Sequence, residues 1–299
     1  MPQASSPSSS SSASRRSAVS ERAAEDTIVS VERAFEIVAM LADLDEGASL
    51  ADIARHLDVN KAIAVKLLIT LERLGIVWRD DVAQRYNLTY RISNLGLRQL
   101  QKTRLLDQSA AVLKALAEET GELVRLAVVE NGDRITWVYA ASGAKRSLQI
   151  DPNYSLDAYL HTTAIGKSWL ATLPFETALK YMLRQGIKPM TRHTKVAIKA
   201  IRAELELTKK RGFATSFEET ELGVIAIAAP IIVTTLTGER ECVGAVSLAA
   251  PTNRMNAREL VACSPQLLAT VERLSQIWPL EPRTLRVLLN PRRSSSPDP

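Results

Sequence analysis

Apolar residues in the first third of the chain recur at the three- and four-residue spacing that is typical of amphipathic helices. The first such segment covers residues 29–42, and its region ends at Gly47. A second segment, SLADIARHL, opens with a Ser-x-x-Asp variant of the capping box at residues 49–52. After a turn at 58–60, KAIAVKLLITLERLG predicts a third helix that stops at Gly75.

The third helix carries an apolar stripe that we predict to be Ile63, Leu67, Leu71 and Leu74. Packing of this stripe against the second helix would leave the N-terminal end of the third helix exposed. Two short β-type runs, 76–79 and 85–88, follow around an Asp-Asp turn. Three helices and a hairpin predict a winged helix-turn-helix, whose third helix fits a major groove about 12 Å wide.

The remaining pattern mixes helices with strands. Helices are predicted at about 91–106, 106–121, 163–173, 194–211 and 256–277. Strands are predicted at 122–132 and 133–142, joined by the hairpin signal Asn131-Gly132, and at 212–218, 224–234 and 241–250. Overall we expect an α+β chain, with the winged helix-turn-helix followed by a GAF-like α/β sensor domain that has a mainly antiparallel sheet.

These elements divide the chain into five segments. Nine serines among the first seventeen residues predict a disordered tail, because such a segment has too little apolar surface to fold. The expected segments are a tail at 1–26, a DNA-binding winged helix-turn-helix at 27–90, a linker helix at 91–106, an effector-binding domain at 107–279 and a flexible tail at 280–299.

Composition supports a globular protein and limits the kinds of site. Apolar residues make up 46% of the chain, and no run of 18 of them exists that could span a membrane. Two cysteines suit a reducing cytoplasm, where we expect the protein to reside. Three distant histidines form no ligand motif, so we predict neither a metal nor a cofactor.

The stretch LHTTAIGKSWLA at 160–171 looks at first like the end of a phosphate-binding loop. Five residues before Gly166, however, stands His161 instead of the glycine that lets backbone N–H groups face phosphates. No nucleophile–base pair is recognisable elsewhere in the chain. We therefore predict no catalytic residues and a protein that is not an enzyme.

From about Ser30 to Leu274 the chain resembles the IclR-type transcriptional regulators, bacterial factors with an N-terminal winged helix and a C-terminal effector-binding domain. LHTTAIGK at 160–167 is similar to the family's LHxTAxGKA, which frames the ligand pocket. The other matching words are SVERAFEIVAML (30–41), LADIARHL (50–57), RYNL (85–88), AEETGE (117–122), GFATSFEETELGVIAIAAPI (212–231) and VGAVSLAAPTNRMN (243–256).

The exposed end of the third helix is the candidate DNA interface. Family helices often read PKSTAHR, whereas this one reads NKAIAVK, so Ala62 or Val65 could contact thymine methyls. Lys66 would meet phosphate without the bidentate fork of an arginine. The predicted set is Asn60, Lys61, Ala62, Ile63, Val65 and Lys66, with Arg79 and Arg85 of the hairpin. The alternative is an ordinary solvated helix face.

Charge is distributed as a DNA contact would need it. The whole chain carries +5, which is compatible with an anionic partner. Residues 27–91 hold eight Lys/Arg and ten Asp/Glu, which gives a net charge of −2. Within them, residues 60–91 hold six Lys/Arg and three Asp/Glu, which gives a net charge of +3. The positive charge is thus gathered on the third helix and the hairpin.

The resemblance implies an effector pocket in the C-terminal domain. The expected residues are Trp137, Tyr139, His161, Ala164, Ile165, Ser216, Ala226, Ser247 and Ala249. Their apolar character favours an aromatic or medium-sized organic acid. Trp137 and Tyr139 could equally be ordinary core, and for His161 a hydrogen-bonded role in the turn is favoured. Arg125 could pair with a ligand carboxylate, although an exposed edge-strand arginine is the favoured interpretation.

These observations predict a homodimeric or homotetrameric regulator that binds a palindromic operator in double-stranded DNA and responds to a small organic acid. Two hypotheses of other classes stay open: a small-molecule-binding enzyme, and an adaptor that uses the winged helix for protein contacts. The sequence leaves the effector, the target genes and the choice between repressor and activator undetermined.

Overall fold

The computed structural model describes residues 27–130, 132, 134–143, 159–235 and 238–279. The predicted tails at 1–26 and 280–299, and Asn131 of the predicted hairpin, lie outside the described residues. Two compact units are present, and the boundary between them falls between Gly96 and Leu97.

The first unit has the predicted winged helix-turn-helix arrangement. Its hairpin joins a two-residue strand in a three-stranded antiparallel sheet of order β1-β3-β2. In chain order its elements are α1 (Val29–Ala42), β1 (Ala48–Ser49), α2 (Leu50–His56), α3 (Lys61–Arg73), β2 (Val77–Asp80), β3 (Arg85–Leu88) and the first residues of α4 (Arg91–Thr103).

Local chemistry sets the ends of these helices. The Ser49 hydroxyl caps α2 by accepting from the Asp52 N–H at 3.2 Å. Gly75, at φ 68°, ends α3 in the left-handed conformation as predicted. Gly47 has φ 66°, and a Cβ there would lie 2.2 Å from the Tyr86 carbonyl oxygen, so only glycine fits this turn.

The buried stripe of α3 differs from the predicted one. Of the predicted residues, Leu71 is buried and Leu67 packs against the core, but Ile63 and Leu74 are exposed; Ala64 and Leu68 complete the buried face. The prediction was wrong for Ile63 and Leu74 because α3 has apolar residues around most of its circumference, so helical spacing alone allows more than one stripe. The core that selects between them contains Ile37, Leu41, Ile53, Leu57, Val77 and Tyr86.

The second unit is built on a five-stranded sheet in which every neighbouring pair is antiparallel, with the order β5-β4-β8-β7-β6. This confirms the α+β fold class. After α4 its elements are α5 (Leu105–Thr120), β4 (Leu123–Glu130), β5 (Arg134–Ser142), α6 (Ala164–Leu170), α7 (Phe175–Gln185), α8 (Ile198–Arg211), β6 (Ala214–Phe217), β7 (Val224–Thr234), β8 (Arg240–Pro251), α9 (Ala257–Ala262) and α10 (Ser264–Ile277).

Helices cover both faces of this sheet, and each face has its own apolar core. On one face α5, α9 and α10 pack on alternate residues of the strands, such as Val124, Ile227 and Val246. On the other face α6, α7 and α8 pack on the intervening residues, such as Ala228 and Ala245. The period of two therefore assigns alternate strand residues to alternate helical layers, except where a bulge interrupts it.

Several predicted elements are corrected. Helix α7 was not predicted. The linker helix ends at Thr103, because Arg104 adopts a left-handed conformation with φ 52°. The last helix divides at Cys263, just before Pro265, whose missing N–H cannot continue the hydrogen-bond ladder. Strand β4 lies between β5 and β8, so Arg125 is not on an edge strand.

The observed stripe of α3 can be tested by two neighbouring truncations. Leu68→Ala is expected to lower the free energy of unfolding of the first unit by about 2–5 kcal/mol, because it opens a cavity in the core. Ile69→Ala, at an exposed position, is expected to cost no more than about 0.5 kcal/mol. Native-state hydrogen exchange of the α3 amides in the full chain measures both. Equal costs would contradict the observed stripe.

Candidate nucleic-acid interface and ligand site

One face of α3 points away from the core. We call it the free face of α3, and it consists of Ala62, Ile63, Lys66, Ile69, Thr70 and Arg73, all of which are exposed. Lys61 lies at its start. In the described part of the first unit the ion pair found joins Asp52 and Arg55 at 3.0 Å, and neither Lys61 nor Lys66 takes part in one. Both ammonium groups are therefore available to an external anion.

Two predicted base-reading residues are constrained by the fold. Asn60 is the N-cap of α3, and its Oδ1 accepts from the Ile63 N–H at 2.9 Å. This oxygen is thus committed to the start of the helix. Val65 is half-buried beside the core instead of standing on the free face.

The two hairpin arginines have different surroundings. Arg79 is exposed, and its guanidinium lies 5.8 Å from the centre of the Tyr86 ring while donating to the Gln84 side chain. Arg85 is half-buried and donates from Nε to the Glu46 carbonyl at 3.0 Å and from Nη2 to the Gly47 carbonyl at 3.3 Å. Arg85 consequently ties the hairpin to the loop before α2, whereas Arg79 stays at the surface.

In the second unit, small side chains form the sheet face beneath α6. Ser216, Ala226 and Ala249 are in register across β6, β7 and β8, and Ser247 is paired with Ala228 two residues along. Helix α6 lies over these three strands. The predicted residues Ala164 and Ile165 are buried in its first turn. Six of the nine predicted effector residues therefore lie in α6 or on the strands directly beneath it: Ala164, Ile165, Ser216, Ala226, Ser247 and Ala249.

The two predicted aromatic residues point to opposite faces of the sheet. Trp137 packs with the α6 layer, whereas Tyr139 packs with the α5 layer. The cause is an extra residue in β5: Leu126 pairs with Tyr139 but Ala127 pairs with Trp137, which leaves Val138 unpaired. Such a bulge breaks the period of two. The prediction that both rings share one site is corrected by this geometry.

Arg125 and Trp137 form a stacked pair on the α6 side of the sheet. The Arg125 guanidinium carbon lies 4.2 Å from the centre of the Trp137 ring, within cation–π range. Arg125 is half-buried and in register with Ser247 on β8. The Ser247 hydroxyl is buried and has no hydrogen-bond partner among the described residues. A planar cation and an available hydroxyl therefore lie on neighbouring strands.

His161 fixes the turn that leads into α6. It is buried, and because a carbonyl can only accept, its Nε2 must donate to the Lys188 oxygen at 2.9 Å. Its Nδ1 is buried and has no hydrogen-bond partner in the part of the chain that the structure describes. Thr163 caps α6 by accepting from the Gly166 N–H at 3.1 Å. These contacts agree with a hydrogen-bonded role in the turn.

The Gly-Lys-Ser stretch serves packing and not phosphate binding. A Cβ on Gly166 would lie 2.6 Å from the Cα of Leu160, so only glycine permits this approach. Lys167 is buried, and its Nζ donates to Oε1 of Glu219 at 2.8 Å. Burial lowers the pKa of Lys167, and the Glu219 carboxylate opposes that shift. The Lys167 ammonium group is therefore not available to a nucleotide.

Sequence reasoning missed the charged cluster around this lysine. Lys195 bridges Glu204 at 2.8 Å and Glu219 at 3.5 Å, and Arg211 bonds Glu204 at 3.0 Å. Burial acts to raise the pKa of Glu204, but the hydrogen bond from Lys195 and the nearby cations outweigh it, so the pKa is lowered. The sequence feature that could have indicated a buried charge is the lysine within AIGKSWLA, a segment whose other residues are small or apolar.

Two family models cover most of the chain. Residues 97–276 match the bacterial transcriptional regulator IclR C-terminal model, and residues 30–81 match the IclR helix-turn-helix domain. The chain belongs to the IclR family. It is therefore a transcriptional regulator with a DNA-binding helix-turn-helix and an effector-binding domain.

Individual relatives agree with this assignment. The chain is 30% identical over 256 residues to the HTH-type transcriptional regulator BhcR of Paracoccus denitrificans, which is 84% of this chain and 88% of that protein. A putative IclR regulator from Silicibacter has a TM-score of 0.68 at 25% identity, covering 84% of this chain and 96% of that one.

One structural relative was solved with a bound ligand. An IclR homologue from Microbacterium hydrocarbonoxydans, complexed with 4-hydroxybenzoate, has a TM-score of 0.66 at 17% identity over 83% of this chain and 98% of that one. At this identity the likeness establishes the fold alone. Among the described residues of the present regulator, no helix has the length and apolarity to cross a bilayer.

Proposed function

We propose that this IclR-family regulator binds a palindromic operator through the free face of α3, and that a small organic acid on the α6 side of the C-terminal sheet modulates that binding. The observation that carries the proposal is the exposure of Lys61 and Lys66 without ion pairs among the described residues. Exposed lysines at a recognition helix are suited to phosphate contacts. Arg79 supplies a second cation on the hairpin.

Two predicted residues take different parts in this proposal. The Arg85 guanidinium donates hydrogen bonds to the Glu46 and Gly47 carbonyls, so Arg85 supports the hairpin instead of contacting DNA directly. Asn60 positions the first turn of α3, which sets where Lys61 and Ala62 meet the groove. Direct contacts are therefore assigned to Lys61, Ala62, Ile63, Lys66 and Arg79.

An aromatic acid suits the chemistry of the proposed effector site. A carboxylate can accept from the Arg125 guanidinium in a charge-assisted hydrogen bond, and the Ser247 hydroxyl offers a further polar contact. The ring of the ligand would lie over the small residues Ala226 and Ala249, which pair with each other two residues along from Ser247. The 4-hydroxybenzoate in the Microbacterium relative is a ligand of this class.

A second copy of this chain is the partner that we infer for the first unit. Val31 and Phe35 lie one turn apart on one side of α1, and Phe35 is 67% exposed. Tyr90, just before α4, and Leu95, in its second turn, are exposed as well. Large exposed apolar side chains are typical of association surfaces, and a palindromic operator calls for two α3 helices related by a two-fold axis.

Reversal of one charge tests the DNA contact. Lys66→Glu is expected to abolish operator binding, because it removes a phosphate contact and adds repulsion. Gel shift of the full chain on DNA upstream of its own gene measures this at several salt concentrations. Each phosphate contact that is lost should flatten the salt slope by about one unit.

The matched control is Lys199→Glu, which changes the same charge at an exposed position on α8. It should bind within about twofold of the parent at moderate salt, because it makes the same change of net charge without altering a residue of the winged helix-turn-helix unit. Retained binding by Lys66→Glu would count against the placement of α3. Absence of a shift at saturating protein would favour the adaptor hypothesis.

Removal of the stacked arginine tests the effector class. In thermal-shift measurements 4-hydroxybenzoate or benzoate is expected to raise the melting temperature of the parent, since a ligand that binds only the folded state stabilises it. Benzyl alcohol should not, because it lacks the carboxylate. Arg125→Met should lose the shift in melting temperature with the acids.

The control is Arg202→Met, which removes another arginine stacked on a ring, that of Phe175, and should retain the shift. Loss in both variants, or equal shifts with benzyl alcohol, would refute the assignment.

A charged residue on α1 tests the inferred dimer. Phe35→Glu is expected to halve the mass of the full chain in light scattering, because a carboxylate cannot be buried at an apolar contact without a large cost. Val82→Glu, at the exposed tip of the hairpin, is the control and should leave the mass unchanged. An unchanged mass for Phe35→Glu would place the subunit contact elsewhere.

A further inference from the structure

We propose that the free face of α3 recognises thymine methyl groups, so that the operator half-site is read by apolar contact instead of hydrogen bonds to guanine or adenine. The inference rests on the proposed operator binding and specifies the bases that are contacted. It concerns Ala62, Ile63 and Ile69, which are exposed on the helix side opposite the core residues Ala64 and Leu68.

The polar groups of this face are poorly suited to reading purines. The Thr70 hydroxyl donates to the Lys66 carbonyl at 2.8 Å, and Asn60 Oδ1 accepts from the Ile63 N–H. Recognition of adenine by asparagine needs the oxygen and the nitrogen of the same amide together. Asn60 cannot supply that pair while it caps α3.

The cations of this face favour phosphate over guanine. Lys66 presents a single compact ammonium and lacks the planar fork with which arginine bonds the O6 and N7 atoms of guanine. Arg73 is the arginine of the free face, and it lies in the last turn of α3, two helical turns beyond Lys66. The first turns of α3 therefore contain cations that position the helix, and no guanine fork.

The apolar side chains fit the remaining feature of the major groove. Thymine presents a methyl group there, which alanine and other apolar side chains contact. Ile63 and Ile69 keep 37% and 56% of their surface exposed in the described chain. Each methyl group buried between protein and base should contribute about fourfold in affinity. The flanking Lys61 and Lys66 match the charge of the phosphates on either side, which selects DNA over an apolar protein partner.

The experiment removes single methyl groups from the DNA. The full-length protein first selects its operator from random duplexes. Each thymine of that operator is then replaced by deoxyuridine, which keeps the base pair and lacks only the methyl group. We expect two or three thymines in each half-site whose replacement weakens binding about fourfold, measured by fluorescence anisotropy at fixed salt.

Variants of the protein assign the contacts. Ile63→Ala or Ile69→Ala should remove the discrimination between thymine and uracil at one position of each half-site and leave the other positions unchanged. Leu44→Ala, which truncates an exposed apolar residue outside α3, should keep the full discrimination. The deoxyuridine series uses the unmodified protein, so the test stands even if a variant fails to fold.

The outcomes separate this inference from the function on which it rests. A selected operator that tolerates uracil at every position overturns methyl recognition and leaves operator binding intact. Uracil sensitivity that both isoleucine variants preserve also overturns the assignment to this face. Enrichment of no duplex at all overturns the proposed operator binding itself.

Discussion

The burial of Ala64, Leu68 and Leu71 is the constraint on which the first unit depends, because it sets the rotation of α3 about its own axis. In an α-helix each residue turns the chain by about 100°, so a shift of one position would bring Lys66 toward the side of the unit. With the observed rotation Lys66 stands opposite the core, and the isoleucines on either side of it face outward. Packing on one side of the helix thereby decides the chemistry of the other.

Features that depend on neighbouring residues could be predicted from the sequence. The Ser49 cap, the Gly75 stop and the hairpin after α3 are local and followed directly from residue type and spacing. The α3 stripe could not be predicted in the same way, since several alignments of its apolar residues have helical spacing. Contacts with α1 and α2 determine which of these alignments is buried, and those contacts join residues that are far apart in the sequence.

The candidate ligand site shows the same limit. Pairing across β6, β7 and β8 gathers Ser216, Ala226 and Ala249 in one row, a neighbourhood that depends on strand order and register. Trp137 and Tyr139 lie on opposite faces of the sheet because of a bulge, and no residue type in β5 predicts that bulge. Lys167 and Glu219 are 52 positions apart in the chain, so their buried pair could be recognised only once the fold was known.

The unpaired Val138 gives β5 one residue more than the strand with which it pairs. Loss of that residue would restore strict alternation and still leave Trp137 opposite Ala127 and Tyr139 opposite Leu126. A single-codon deletion at this position would therefore shorten β5 without moving either ring to the other layer. In a lineage that had lost the bulge, the length of the strand would have changed and its two ring-bearing faces would not.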